Sequence, residues 1–263
     1  MLNFLGNSKT VVGIAVTQNV GLEVGIIDKK TSQVLKYASR PLDYNVASRE
    51  IENYTIFKTL LTEIYEELGI ASKHDAYVVL PNVHFDFTNL SVATMNNEAV
   101  GEYILNKIEE SNYIFRRVDP MTDWDDVNFR NRTDSRYVVH SSIQAQACEK
   151  IRDIIQELGG NLVGVEGAYT AILRGVDFSG IAKEFIDKNE DWSVLLVNSN
   201  SYATFTMQGS NLVDYSEYPL ALKSFSPEEV YQAIANPVVQ FLSTQSVTNL
   251  LIISQSDEVS ADI

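Results

Sequence analysis

Apolar and polar positions alternate along this chain in an order that is written twice. Near the start, VVGIAVTQNVGLEVGIID is followed by VLKYASRPLD; after residue 190, SVLLVNSNSYATFTMQG is followed by LVDYSEYPLA. In each copy a short apolar strand (Val11 to Val16; Val194 to Val197) runs into a polar turn (Thr17, Gln18, Asn19; Asn198, Ser199, Asn200). A second alternating strand follows (Leu22 to Ile27; Ala203 to Met207), then a third extended segment ending near Pro41 or Pro219. A long helical stretch and a final apolar strand, AYVVLP or NLLIIS, close each copy. Period-two alternation marks strands, and recurrence every three or four residues marks helices. A β-β-β-α-β unit written twice predicts two related subdomains, because a repeated supersecondary unit repeats its packing.

The first helix is marked by Ile51, Tyr54, Phe57, Leu60, Leu61, Ile64, Tyr65 and Leu68 at helical spacing, with Ser48 as the expected N-cap and Gly69 as the stop. Residues 82 to about 162 interrupt the repeat. They open with the alternating run HFDFTNLSVATM and continue into a helix with Val100, Ile104 and Ile108 on one face. The acidic stretch VDPMTDWDDVNFRNRTD, rich in turn formers, reads as a loop. A strand, RYVVHSSI, leads to a helix carrying Ile143, Ala147, Ile151, Ile154, Ile155 and Leu158, stopped by Gly159 and Gly160. This β-α-β-α segment has no counterpart in the second half, and GNLVGVEGAYTAILRG returns to the first subdomain as strand and helix. The second copy's helix is expected from Pro227 to Val247, started by Pro227 and kinked by Pro237.

Composition narrows the function classes. The 263 residues carry a net charge of −15. That disfavours nucleic acid, which is bound through clustered Lys and Arg, and charge-driven adhesion to anionic membranes. Cys148 is the single cysteine, so no intramolecular disulfide is available, which fits a reducing compartment. The N-terminus MLNFLGNSKT lacks the basic lead-in and long apolar run of a secretory signal. No stretch reaches the roughly 18 apolar residues of a spanning helix. A soluble, cytoplasmic protein is the expectation.

Several constellations carry little chemistry. His74, His84 and His140 lack zinc spacing, and the acidic run Asp119, Asp123, Asp125, Asp126 lacks the spacing and glycine of an EF-hand. Neither a P-loop nor a GxSxG elbow occurs. Cys148 sits among aliphatic neighbours and reads as packing. Trp124 in the acidic stretch reads as cover for its own lobe or as a partner contact.

The segments GIAVTQNVGLEVGIID, RPLDYNVASREIENYTIFKTLLTEIYEELGI, GVEGAYTAILRG and VLLVNSNSYATFTMQG, with the insert between them, resemble the actin/Hsp70/sugar-kinase superfold. Within it the chain is similar to the PilM-like actin-like proteins of type IV pilus assembly, with MSHA-pilus and type II secretion L-type proteins as relatives. The resemblance implies an α/β fold of duplicated actin-like (RNase H-like) β-β-β-α-β subdomains with an α/β insert in the first half. It places a first domain at 1–178, with an inserted subdomain at about 82–162, and a second at 190–263 whose completeness at the C-terminus is left open.

In such folds two turns hold nucleotide, each pairing a carboxylate with glycine and hydroxyl residues. Here the first carboxylate falls on Ala15 and its glycine on Thr17; the second falls on Asn198 and its glycine on Asn200. The Gly pair after the last strand falls on Gln255 and Ser256. The turns are read as degenerate: Thr17, Gln18, Asn198, Asn200 and Ser201 keep hydrogen-bonding groups but no charge. No cofactor and no metal is therefore expected, with ATP binding weak at most and no catalysis.

The family's grooved insert implies a partner, the short cytoplasmic tail of a single-span inner-membrane pilus or secretion protein. The tail is expected near Phe85, Phe87, Val138 and Val139. The protein would then be a cytoplasmic adaptor, peripheral to the inner membrane through that partner, with self-association left open. Two alternatives stand beside this reading: a weak nucleotide-dependent ATPase, kinase or switch of the same superfold, and a filament-forming cytoskeletal protein.

Overall fold

The structure, a computed structural model, describes residues 9–17, 21–45, 50–111, 119–128, 135–197, 201–219 and 249–254, with isolated positions between 229 and 243. In chain order the elements are β1 (Thr10–Thr17), β2 (Gly21–Asp28), β3 (Val34–Arg40), β4 (Tyr44–Asn45), β5 (Glu50–Ile51), α1 (Tyr54–Leu68) and β6 (His74–Leu80). A 3-10 turn (Asn82–His84) precedes β7 (Asp86–Ser91), α2 (Asn97–Ser111), β8 (Pro120–Val127), β9 (Tyr137–Gln144) and α3 (Ala145–Glu157). Then come β10 (Gly160–Gly167), α4 (Ala168–Ser179), α5 (Lys183–Asp187), β11 (Asp191–Val197), β12 (Ser201–Gln208), β13 (Asn211–Pro219) and β14 (Asn249–Ser254). The chain forms two compact units: residues 1–90, 95–125 and 139–178, and residues 91–94, 126–138 and 179–263.

The repeat is real in the topology. The first sheet has the order β10-β6-β1-β2-β3 and the second β13-β12-β11-β14. In both, the first three strands are antiparallel neighbours and the fourth runs parallel to the first. Both copies also break register at the same place. The break between Ile26 and Ile27 against β3 matches that between Thr206 and Met207 against β13. Ile27 faces Val11 and Met207 faces Trp192, each the second residue of its copy's first strand. The second copy's expected helix, with Pro227 and Pro237, lies outside the described residues apart from isolated helical positions.

In the first unit the even-numbered residues of β1, Val12, Ile14 and Val16, pack with Val78 and Leu80 of β6 against Phe57, Leu61 and Ile64 of α1. Asn53, not Ser48, caps α1: its side chain accepts hydrogen bonds from the N–H groups of Thr55 and Ile56, while Ser48 lies outside the described residues. Ile51, read as helical, belongs to the short strand β5. Gly69 ends the helix in the left-handed conformation at φ 67°.

Two expectations for the insert change. Ala147, Cys148, Ile151, Ile154 and Ile155 of α3 belong to the same core as α1, and β10 pairs with β6. The helix α3 is thus part of the main subdomain, which β10 rejoins as expected, because α3 carries its apolar stripe toward the large sheet. The acidic stretch read as a loop contains a strand instead. In β8 the exposed Met121, Asp123 and Asp125 alternate with half-buried Thr122 and Trp124, so charge on one face masks a period-two pattern. The insert's sheet has the order β7-β9-β8.

Candidate functional site

Ligands of open α/β sheets bind outside the carboxyl ends of parallel strands. In the first sheet those ends belong to β1, β6 and β10. Ala15 pairs with Val79 and Val79 with Glu166, so the three form one row across the strands. Alternation turns this row away from the face that packs on α1 and α3. Strand spacing puts Ala15 about 10 Å from Glu166. Glu166 is the one ionisable group of these three, and the row continues onto β2 at Glu23, which pairs with Ala15. Burial raises the Glu166 pKa, and the Arg174 guanidinium works against that, donating to its carboxylate at 2.6 Å. The Thr170 hydroxyl donates to the Gly167 carbonyl at 2.8 Å, and Asn82 accepts from the N–H of Tyr169 at the start of α4.

This arrangement does not fit a magnesium nucleotide. Ala15 offers nothing to a metal-bound water; of the row's two carboxylates, Glu166 is held by Arg174 and Glu23 accepts from the Tyr37 hydroxyl. Counted from the matched register breaks, Ala15 corresponds to Leu196 and Thr17 to Asn198. The two positions expected to replace carboxylates are therefore not equivalent, yet neither pair contains an acid. Of the expected turn residues, half-buried Thr17 pairs with Gly21 in one unit and Ser201 with Pro219 in the other. Gln18, Asn198 and Asn200 lie outside the described residues, as do Gln255 and Ser256. No group of three or more His, Cys, Asp or Glu side chains capable of holding a metal occurs among the described residues.

Sequence reading missed the Glu166–Arg174 pair. Its signal was a lone acid in the apolar run GNLVGVEGAYTAIL, eight residues before an arginine across a strand-to-helix junction.

The four residues expected to hold a peptide divide. Phe85 is 8% exposed and belongs to the main core, and Val138 is fully buried, so neither forms a docking surface. Phe87 is half-buried and packs edge-on against the Tyr169 ring at 6.0 Å and 89°. Val139 is half-buried on β9, the central strand of the insert's sheet, where strand addition has no place. Under this sheet runs a buried polar chain in which Ser142 Oγ donates to Thr122 Oγ1 at 2.8 Å and lies 3.1 Å from His140 Nδ1. Burial holds the His140 pKa down, and the Asp86 carboxylate pulls the other way. A Ser, a His and an Asp thus come together. Ser142 is fully buried, however, and no substrate can reach it.

No family model matches the chain, and no curated protein matches it. Solved structures do. A chain of the PilM–PilN type IV pilus biogenesis complex superposes with a TM-score of 0.69 at 12% identity, covering 97% of this chain and 84% of that one. The fold is actin-like. A Bacteroides thetaiotaomicron protein described as having an actin-like ATPase fold and unknown function matches at TM-score 0.51 and 8% identity, covering 100% of this chain and 87% of that one. The cytoplasmic domain of EpsL, an inner membrane component of the type II secretion system of Vibrio cholerae, matches at 0.50 and 8%, covering 95% and 84%. At these identities the actin-like fold is what the chain shares with them. Among the described residues, no helix is long and apolar enough to cross a membrane.

Proposed function

We propose that this chain is a non-catalytic adaptor of actin-like fold, acting at the cytoplasmic face of the inner membrane in a type IV pilus or related secretion platform. The observation that carries this reading is the likeness to a chain of the PilM–PilN complex over nearly the whole length of both chains. The alanine at position 15 and the pairing of Glu166 with Arg174 support the non-catalytic half of it. Residues 1–178 and 190–263 form the two actin-like halves, and the insert within the first supplies the binding function.

The partner is a short cytoplasmic tail bearing Lys or Arg, drawn by the protein's net charge of −15. It lies along β7, an edge position at which extended peptides add by main-chain hydrogen bonds while side-chain pockets set sequence. Phe87 and Val139 are the apolar contacts. Calorimetric titration of a lysine-bearing, apolar tail peptide into the full chain tests this. A Val139→Asp variant of unchanged melting temperature is expected to lose about tenfold or more in affinity. Equal binding by both proteins overturns the site, and no binding by the wild type overturns the adaptor reading.

One observation favours a second reading, a nucleotide-dependent switch: Glu166 keeps a carboxylate at the carboxyl ends of the parallel strands. Micromolar affinity for magnesium-ATP, lost on changing Thr17, would establish that reading instead.

A further inference from the structure

The repeat lets one half of the chain be read against the other. The matched register breaks make Ile27 equivalent to Met207, Val34 to Leu212, Leu35 to Val213 and Lys36 to Asp214. A shared backbone bond agrees with this alignment: the Lys29 N–H donates to the Lys9 carbonyl as the Gly209 N–H donates to the Glu190 carbonyl. Lys9 and Lys36 of the first copy therefore stand where the second has Glu190 and Asp214. The turns differ as well. Residues 29–33, with Lys29 and Lys30, join β2 to β3, against Gly209 and Ser210 alone between β12 and β13. Val213 is buried, at 5% exposure, but its counterpart Leu35 is 54% exposed and Val34 beside it 59%.

The lysines gather at one end of the first sheet. Lys9 adjoins Lys29, and the parallel register of Val12 with Ala76 carries Lys9 to the level of Lys73, just before β6. Lys30 follows in the turn, and Lys9, Lys30, Lys36 and Lys73 are all exposed. The acids at this end of β1, β2, β3 and β6 are engaged. Asp28 accepts from the N–H groups of Lys30 and Thr31, and Asp75 pairs with Lys29 at 2.9 Å. Lys36 donates to the Leu68 carbonyl at the end of α1, which leaves Lys9, Lys30 and Lys73 turned to solvent. We propose that this end of the first sheet docks on an anionic lipid surface, with Val34 and Leu35 entering the headgroup boundary and Lys9, Lys30 and Lys73 contacting lipid phosphates.

Exposed apolar side chains flanked by lysines suit a surface that lies in the membrane interface. Each lysine held at an anionic leaflet is worth about fivefold in binding. Leu35 is the extra residue of the register break, and a bulge turns an edge strand away from strand addition. A lipid surface therefore fits this edge better than an extended peptide does. The fold does not demand this chemistry, since the second copy builds its hairpin with Glu190, Asp214 and a buried Val213. The net charge of −15 opposes docking weakly, because at physiological salt charges more than about 8 Å from the surface are screened. The hairpin is separate from the peptide site on the insert, and the proposal does not rest on the adaptor reading.

Cosedimentation of the full chain with vesicles at about 0.15 M salt tests it, comparing phosphatidylcholine alone with phosphatidylcholine holding about 30% phosphatidylglycerol. The wild type is expected to bind the anionic vesicles about tenfold more tightly than the neutral ones. Lys9→Glu combined with Lys30→Glu should lower that affinity about tenfold or more. Lys107→Glu combined with Lys188→Glu changes the net charge equally and should leave it intact. Val34→Ser combined with Leu35→Ser should weaken binding with no change in melting temperature, because both side chains are already exposed. As a direct sign of insertion, an environment-sensitive fluorophore on a Leu35→Cys variant should shift to the blue on anionic vesicles. The same fluorophore on a Gln208→Cys variant, at the second hairpin, should not. The only native cysteine, Cys148, is buried. A wild type that stays in solution with anionic vesicles overturns the proposal and gives the hairpin to an acidic protein segment instead. So does binding that falls equally with both lysine pairs, or a Leu35→Cys label that fails to shift while the protein is bound.

Discussion

Replacing Arg174 by methionine leaves the Glu166 carboxylate half-buried without its cation. Two unit charges about 4 Å apart attract by about 4 kcal/mol at an effective dielectric of about 20. Arg174 is 38% exposed and Glu166 19%, so water screens part of this attraction. Fully exposed pairs retain about 1 kcal/mol or less, which brings the half-buried pair to about 1–2 kcal/mol. The sign of the pH dependence follows from Glu166. Burial raises its folded-state pKa above the ordinary 4.5, so its contribution to stability is present below that value and is lost as pH rises through the folded pKa. Without Arg174 the folded pKa rises further and the loss at neutral pH deepens, whereas near pH 4 the carboxyl is protonated and the variant approaches wild type. Urea denaturation of Arg174→Met at both pH values measures this, and Glu166→Gln in the same background should recover most of the deficit. An equal deficit at pH 7 and pH 4, or no recovery by Glu166→Gln, would refute the electrostatic account of the row.

Three further outcomes follow from the packing. Ile151→Ala should cost about 2–5 kcal/mol in global unfolding, since Ile151 is fully buried in the core it shares with α1; a local effect confined to the insert would remove α3 from that core. Asn53→Ala should cost about 1 kcal/mol by leaving the N–H groups of Thr55 and Ile56 without their cap, while Ser48→Ala should cost far less in the same melting assay. Acid should destabilise the protein as pH falls from 6.5 toward 4. Burial depresses the His84 pKa to about 4 and lowers that of His140, so both contribute stability that is full above 6.5 and lost on protonation; His84→Gln should flatten the decline measured by urea melts.

The strands of the repeat were legible because alternation survives wherever one face of a strand is buried: Val12, Ile14 and Val16 announce β1 unaided. Gly69 was legible for the same local reason, a left-handed stop that glycine favours. What escaped the sequence was of longer range. Nothing in the spacing of α3 says which sheet its Ile151 faces, and only the pairing of β10 with β6 settles that α3 returns to the main core. β8 was hidden because its exposed face is acidic, and a run of aspartates reads as a solvated loop until Thr122 and Trp124 are seen to turn inward. The site divided likewise. That the turns lack carboxylates is plain from Ala15 and Asn198, whereas the ion pair that neutralises Glu166 depends on a strand and a helix meeting.

Hydrogen exchange of the full chain, with and without a saturating lysine-bearing tail peptide, tests the adaptor claim most directly. Main-chain addition to the insert's sheet predicts slowed exchange of amides within β7, residues 86–91, with the β1 and β11 turns unchanged. Protection confined to those turns, or none anywhere under saturating peptide, would contradict it.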